Sequence, residues 1–164
     1  MLFRPPYHWI DAPRPRSFAG LMEVYEANYM RLRKLYPESY DAGRCAVSRV
    51  RGGLDLHLKV FARSSYTSTI QLTYYLKDHN GVIKPDPDLR LRVYHDARQA
   101  EVLNYSTCGI ARLACNRGVR ADTTAELLAH KWAVNRFLYK WLSYVARQGH
   151  AFPGKAISET LEYS

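Results

Sequence analysis

The sequence predicts a single α+β domain, with an antiparallel sheet of five or six strands and an N-terminal and a long C-terminal helix packed on one face of it. Two patterns carry this expectation. Segments near both ends repeat apolar residues every three or four positions, and the stretch between them alternates apolar with polar residues. Strict alternation implies that one sheet face is covered and the other is at least partly wet, which favours antiparallel over parallel pairing. The length of 164 residues suits one domain, and a chain that is 47% hydrophobic and 24% charged is not a disordered one.

Ser17 is placed to cap a helix running from Phe18 to about Tyr36, where Pro37 stops it. Leu21, Tyr25, Asn28, Leu32 and Leu35 share one face of that helix, widened by Val24 and Tyr36. A strand within Arg44–Arg51 leads to Gly52-Gly53, read as a two-residue hairpin turn. Leu56, Leu58 and Val60 then alternate with His57, Lys59 and Phe61, and a turn follows at Ser64-Ser65. From Tyr66 to Lys77, Ser68, Ile70, Leu72 and Tyr74 face one way, and Thr69, Gln71, Thr73 and Tyr75 face the other. Residues Asp78 to Asp88 read as a loop, after which Leu89, Leu91, Val93 and His95 oppose Arg90, Arg92, Tyr94 and Asp96. Gln99–Tyr105 and Ile110–Cys115 supply a fifth and a sixth strand. The last helix spans about Thr124 to Gln148, with Thr123 and Glu126 at capping-box spacing and Gly149 as its stop. Its stripe is Val134, Phe137, Leu138, Trp141, Leu142 and Val145, with Trp132 and Tyr139 outside it, free to pack under the arm or to serve an interface. Residues 1–16 form a Pro-rich arm carrying Trp9 and Ile10, residues 17–152 the domain, and residues 153–164 a tail.

Lys and Arg outnumber Asp and Glu by 24 to 15, a net charge of +9 that favours anionic partners. No segment is a basic run, so any basic patch must be assembled by folding. No apolar stretch approaches the ~20 residues of a membrane span, and the arm lacks the apolar centre of a signal peptide. Three cysteines are too few and odd in number for a disulfide framework, which points to a reducing, cytoplasmic setting. Cys108 and Cys115 lie seven apart, and Cys45 and the six histidines show no ligand spacing. The thiols therefore read as buried and free, and neither a metal nor a cofactor is expected.

Four stretches occur together in order: Glu26-Ala27-Asn28-Tyr29-Met30-Arg31-Leu32, Tyr66-Thr67-Ser68-Thr69, the segment from Leu91 through Tyr94-His95-Asp96-Ala97 to Val102, and Asn135-Arg136-Phe137-Leu138-Tyr139-Lys140-Trp141-Leu142. Over roughly Gly20 to Phe152 the chain resembles the small bacterial YqiB-like family, a domain of unknown function. The resemblance implies a bacterial cytoplasmic protein and brings no catalytic or ligand residues with it.

The residues themselves offer two candidate sites. On the polar side of the strands, Lys59, Phe61, Arg63, Tyr75, Arg90, Arg92 and Tyr94 fall together, aromatic rings among cations. Such a face suits single-stranded nucleic acid or nucleotides. The weak catalytic candidates are His95, Asp96 and Glu101, a histidine beside carboxylates. Adjacent strand residues point to opposite faces, so His95 and Asp96 diverge unless the strand has ended, and a hydrogen-bonded core histidine is the favoured reading of His95. Asn28, on an apolar helix face, needs buried partners, for which strand backbone or Asn135 of the other helix are in reach. A non-enzymatic binding or regulatory module is the leading functional expectation, its partner a protein, a second copy of the chain, or a small anionic ligand. Nucleic acid is the alternative and a hydrolase-type enzyme the third.

Overall fold

The Ser17 hydroxyl accepts the Gly20 N–H at 3.0 Å and so begins helix α1, Phe18–Leu35, as the sequence predicts. The structure, a computed structural model, describes residues 17–37, 40–106 and 124–153. The Pro-rich arm with Trp9 and Ile10, the strand expected at Ile110–Cys115, Cys108, Thr123 and the tail after Pro153 lie outside the described residues. Every member of the stripe expected on α1 is buried, Asn28 included.

Five strands follow: β1 Cys45–Ser48, β2 Leu56–Arg63, β3 Thr67–Lys77, β4 Ile83–Tyr94 and β5 Gln99–Ser106. They pair in sequence order, each antiparallel to its neighbour. Helix α2, Thr124–Arg147, closes the described chain. Its end is a Schellman motif: His150 N–H donates to Val145 O and Gly149 N–H to Ala146 O, with Gly149 at φ +87°. The architecture is the expected α+β one.

One face of the sheet supplies the core. Leu56, Leu58, Val60, Ile70, Leu72, Leu89, Leu91, Val93 and Ala100 pack against Leu32 and Leu35 of α1 and Val134, Leu138, Trp141, Leu142 and Val145 of α2. Burying each of the larger side chains is worth about 1.5–3 kcal/mol against leaving it in water. Contacts between the helices advance together, from Gly20 beside Trp132, through Asn28 with Asn135, to Arg31 with Tyr139, so α1 and α2 run parallel. Their dipoles are therefore aligned. Arg33 and Lys34 in the last turn of α1 and Arg147 in that of α2 offset the negative ends that meet there.

The structure corrects four expectations. Gly52-Gly53 is not a two-residue hairpin: Ser48 pairs with Leu56, so the connection runs from Arg49 to Asp55, closed by an ion pair of those two at 3.2 Å. The glycines instead serve a wider loop, in which Gly52 takes φ +76°. Strand β4 starts at Ile83 rather than after Asp88. The true turn is Asp78–Val82, where the Asp78 carboxylate accepts the N–H of Asn80 and of Val82. A register shift opposite Thr73–Tyr75 lets Pro85 and Pro87 sit within a strand. Trp132 is buried against Leu21, Val24, Tyr25 and Ala27, close enough to Gly20 that a Cβ there would lie 2.9 Å from its ring. Cys45 is a free thiol but an exposed one.

The segment after α2 is stapled back. Phe152 N–H donates to Leu35 O at 2.9 Å, and Tyr40 Oη donates to Pro153 O. His150, 5% exposed, has Nδ1 3.0 Å from Ser48 Oγ, which also accepts Ala151 N–H, and its ring leans on Tyr74. Burial lowers the imidazole below its ordinary 6.5, against smaller raising effects from Ser48 and Asp55. A proton therefore binds the unfolded chain more readily than the folded one. Stability is full above the unfolded value and falls as pH drops below about 6.5. Melting temperatures taken between about pH 7.5 and 5 should decline for the native protein and decline less for His150→Asn. Parallel curves would remove His150 from the acid response.

Candidate binding face

The alternation that fills the core places its intervening residues on the opposite face, which no described element covers except at its β5 edge, where Tyr25 of α1 and Lys131 of α2 reach Glu101. Two cross-strand rows define it: Cys45, Lys59, Gln71, Arg90 and Asn104, then Val47, His57, Thr73, Asp88 and Ser106. Phe61 occupies a register shift between Val60 and Ala62 and is held between two cations, Arg90 at 4.1 Å and Lys59 at 4.8 Å from the ring centre. Tyr75 meets the edge of His57 at 4.8 Å. Arg92 stands in register between Thr69 and Glu101.

Of the seven residues expected on this face, six are on it. Arg63 is not, because the bulge at Phe61 reverses the alternation and Arg63 pairs with Ser68, whose side is the helix-covered one. Lys59, Arg90 and Arg92 form no ion pair with a described carboxylate. The two acids of the face are already engaged. Asp88 Oδ1 accepts from Gln71 Nε2 at 2.5 Å and from Thr73 Oγ1 at 2.8 Å. Glu101 accepts from Tyr94 Oη at 2.6 Å and faces Lys131 Nζ at 3.8 Å. Burial, then Glu101, lifts Tyr94 above the usual tyrosine range, and the same two causes lift Tyr25 much further. Neither phenol is poised to ionise.

Two shallow recesses mark the face and share Gln71 as a wall. One, of about 180 Å³, lies over β1–β3 and includes Cys45, His57, Lys59 and Tyr75. The other, of about 160 Å³, lies over β3–β5 and includes Asp88, Arg90, Asn104 and Ser106.

The catalytic candidates do not converge. His95 is on the helix side, its Nε2 2.8 Å from Ser68 Oγ and its ring edge against Tyr29. Asp96 is exposed in the turn that joins β4 to β5, and Glu101 is on the other side of the sheet. Sequence reasoning missed Ser68 as the partner of His95, although a hydroxyl in phase with Ile70 and Leu72 was a signal. The pair has nucleophile–base spacing, but Ser68 is only 3% exposed, which makes it a tie within the core. Asp88, Gln71 and Thr73 were also missed as a group. Asp88 is in phase with Arg90, Arg92 and Tyr94, and carrying the alternation back by one step would have found it. Among the described residues, no three His, Cys, Asp or Glu side chains gather as metal ligands do. No helix among them is long and apolar enough to cross a membrane.

This sheet and its helices coincide with a family match. Residues 31–151, from the second half of α1 to the staple after α2, match a family described as protein of unknown function (DUF1249). The chain belongs to this family. DUF1249 is an uncharacterised family, as the sequence resemblance implied, while the YqiB-like name remains a resemblance. No curated protein and no solved structure matches the chain. The family description supplies no residue roles, so the chemistry of this DUF1249 member rests on its own side chains.

Proposed function

We propose that the protein is a non-enzymatic binding module whose open sheet face takes a single-stranded nucleic acid. The observation that carries this reading is the set of three cations, Lys59, Arg90 and Arg92, on one sheet face with no carboxylate among the described residues paired to any of them. Cations at strand spacing match an extended polyanion, and Arg90, held over Phe61, provides a plane for a base to stack on. A small anionic ligand has less to hold it, because neither recess reaches the roughly 300 Å³ at which small-molecule pockets begin. A protein partner or second copy would have to match the same cations without using the stacking plane. The separation of His95 from Asp96 and Glu101 favours binding over hydrolysis. The exposed thiol of Cys45 fits the reducing bacterial cytoplasm as the setting.

Salt titration tests this. Three phosphate contacts on a single strand give a slope of about −2 in log affinity against log salt, or roughly 20-fold weaker binding between 50 and 200 mM. Fluorescence anisotropy with a labelled mixed-sequence RNA oligomer measures it. Absent or salt-independent binding would refute the proposal.

A further inference from the structure

We infer that Asp88 reads the base of a nucleotide seated in the β3–β5 recess, an assignment that rests on the nucleic-acid reading above. Both donors that hold this carboxylate, Gln71 Nε2 and Thr73 Oγ1, go to the same oxygen, Oδ1. They fill its two lone pairs and fix the group, leaving Oδ2 with no donor among the described residues. Asp88 shares the recess with Arg90, two residues along the same strand and about 7 Å away, and with Asn104 and Ser106 of β5. The register shift just before Asp88 sets the angle at which it meets this recess.

A fixed carboxylate is a poor neighbour for a phosphate and a good acceptor for an N–H. It therefore turns the strand so that phosphates lie toward Lys59, Arg92 and the N–H edge of Arg90, and a base edge lies toward Oδ2, with the guanidinium face of Arg90 that Phe61 leaves open available for stacking. The acceptor also selects among bases. Cytosine, adenine and guanine each present an exocyclic amine, which a carboxylate accepts. Uracil has none, and its one N–H is flanked by two carbonyl oxygens that would face the charge. The recess is thus specific for amino-bearing bases.

The test compares equal-length RNA oligomers of cytidine, adenosine and uridine on the native protein and on Asp88→Asn. The amide keeps an oxygen for Gln71 and Thr73, so this variant retains the local bonds, and its melting temperature serves as the check. The native protein should prefer the cytidine and adenosine oligomers over uridine by about tenfold, as a hydrogen bond to a charged group allows. Asp88→Asn should shrink that preference to about twofold or less while keeping the salt slope, because the phosphate contacts are untouched. Comparison with the variant separates Asp88 from the intrinsic stacking differences between the oligomers. A native protein that binds all three equally, or a variant that keeps the full preference, overturns the role of Asp88 and leaves the nucleic-acid face standing. Failure to bind any oligomer overturns both.

Discussion

Asn135→Ala should cost about 3 kcal/mol of stability. Asn135 is 1% exposed and ties three elements together. Its Oδ1 accepts the N–H of Val102 on the edge strand β5 at 2.9 Å, and its Nδ2 donates to Lys131 O one turn back along α2 at 2.8 Å. Its own main-chain carbonyl accepts Asn28 Nδ2 of α1 at 3.1 Å. Alanine leaves the Val102 N–H of the edge strand short of a partner at a part-buried place and opens a small void beside it, while the Lys131 carbonyl keeps its helical main-chain N–H. For a domain of this size the loss appears as a fall in melting temperature of about 10 °C. Lys140→Ala, at an exposed position of the same helix, is the control and should move stability by no more than about 0.5 kcal/mol. Thermal and urea melts read both variants. If they melt together, the two side-chain bonds of Asn135 carry no weight.

Lys59→Gln combined with Arg90→Gln should weaken single-strand binding about 25-fold at roughly 0.1 M salt without moving the melting temperature. The size follows from counterion release at about 0.7 per phosphate, with two of three contacts removed. The same argument predicts that the salt slope falls from about −2 to about −0.7, so the gap between variant and native protein narrows as salt rises. Glutamine keeps a polar, flexible stem on each strand, and both positions are exposed, so folding is spared. Anisotropy at two salt concentrations decides the matter. A constant ratio at all salts would mean that the two side chains act through Phe61 packing rather than through charge.

Much of this molecule is legible from period alone. Leu21, Asn28 and Leu32 on α1, Ile70 and Leu72 on β3, and Leu89, Leu91 and Val93 on β4 are core positions by their spacing and are buried. The Asn28–Asn135 contact was anticipated because a buried amide needs a partner and the other helix offers one. What escaped the sequence is what breaks phase. One bulge at Phe61 turns Arg63 to the other side, and no local pattern announces it. Pro85 and Pro87 disguise the start of β4, since proline normally argues against a strand, and that concealed the place of Asp88. Trp132 lies off the stripe that meets the sheet because it meets α1 instead, and a stripe drawn for one partner misses a second.

The parallel pairing of α1 with α2 also governs how the protein reaches its fold. The four hairpins of the meander can form from neighbours in sequence, but the Asn28–Asn135 and Arg31–Tyr139 contacts join residues more than a hundred positions apart. Such long-range closure raises contact order and slows folding. During synthesis the meander emerges before α2, so the apolar side of Leu58, Leu72 and Leu91 waits with only α1 to shelter it. Completion depends on the last stretch, up to the Phe152–Leu35 bond. A nascent chain halted before Trp141 would lack Trp141, Leu142 and Val145 from its cover, which makes the closing helix the step that separates productive folding from aggregation.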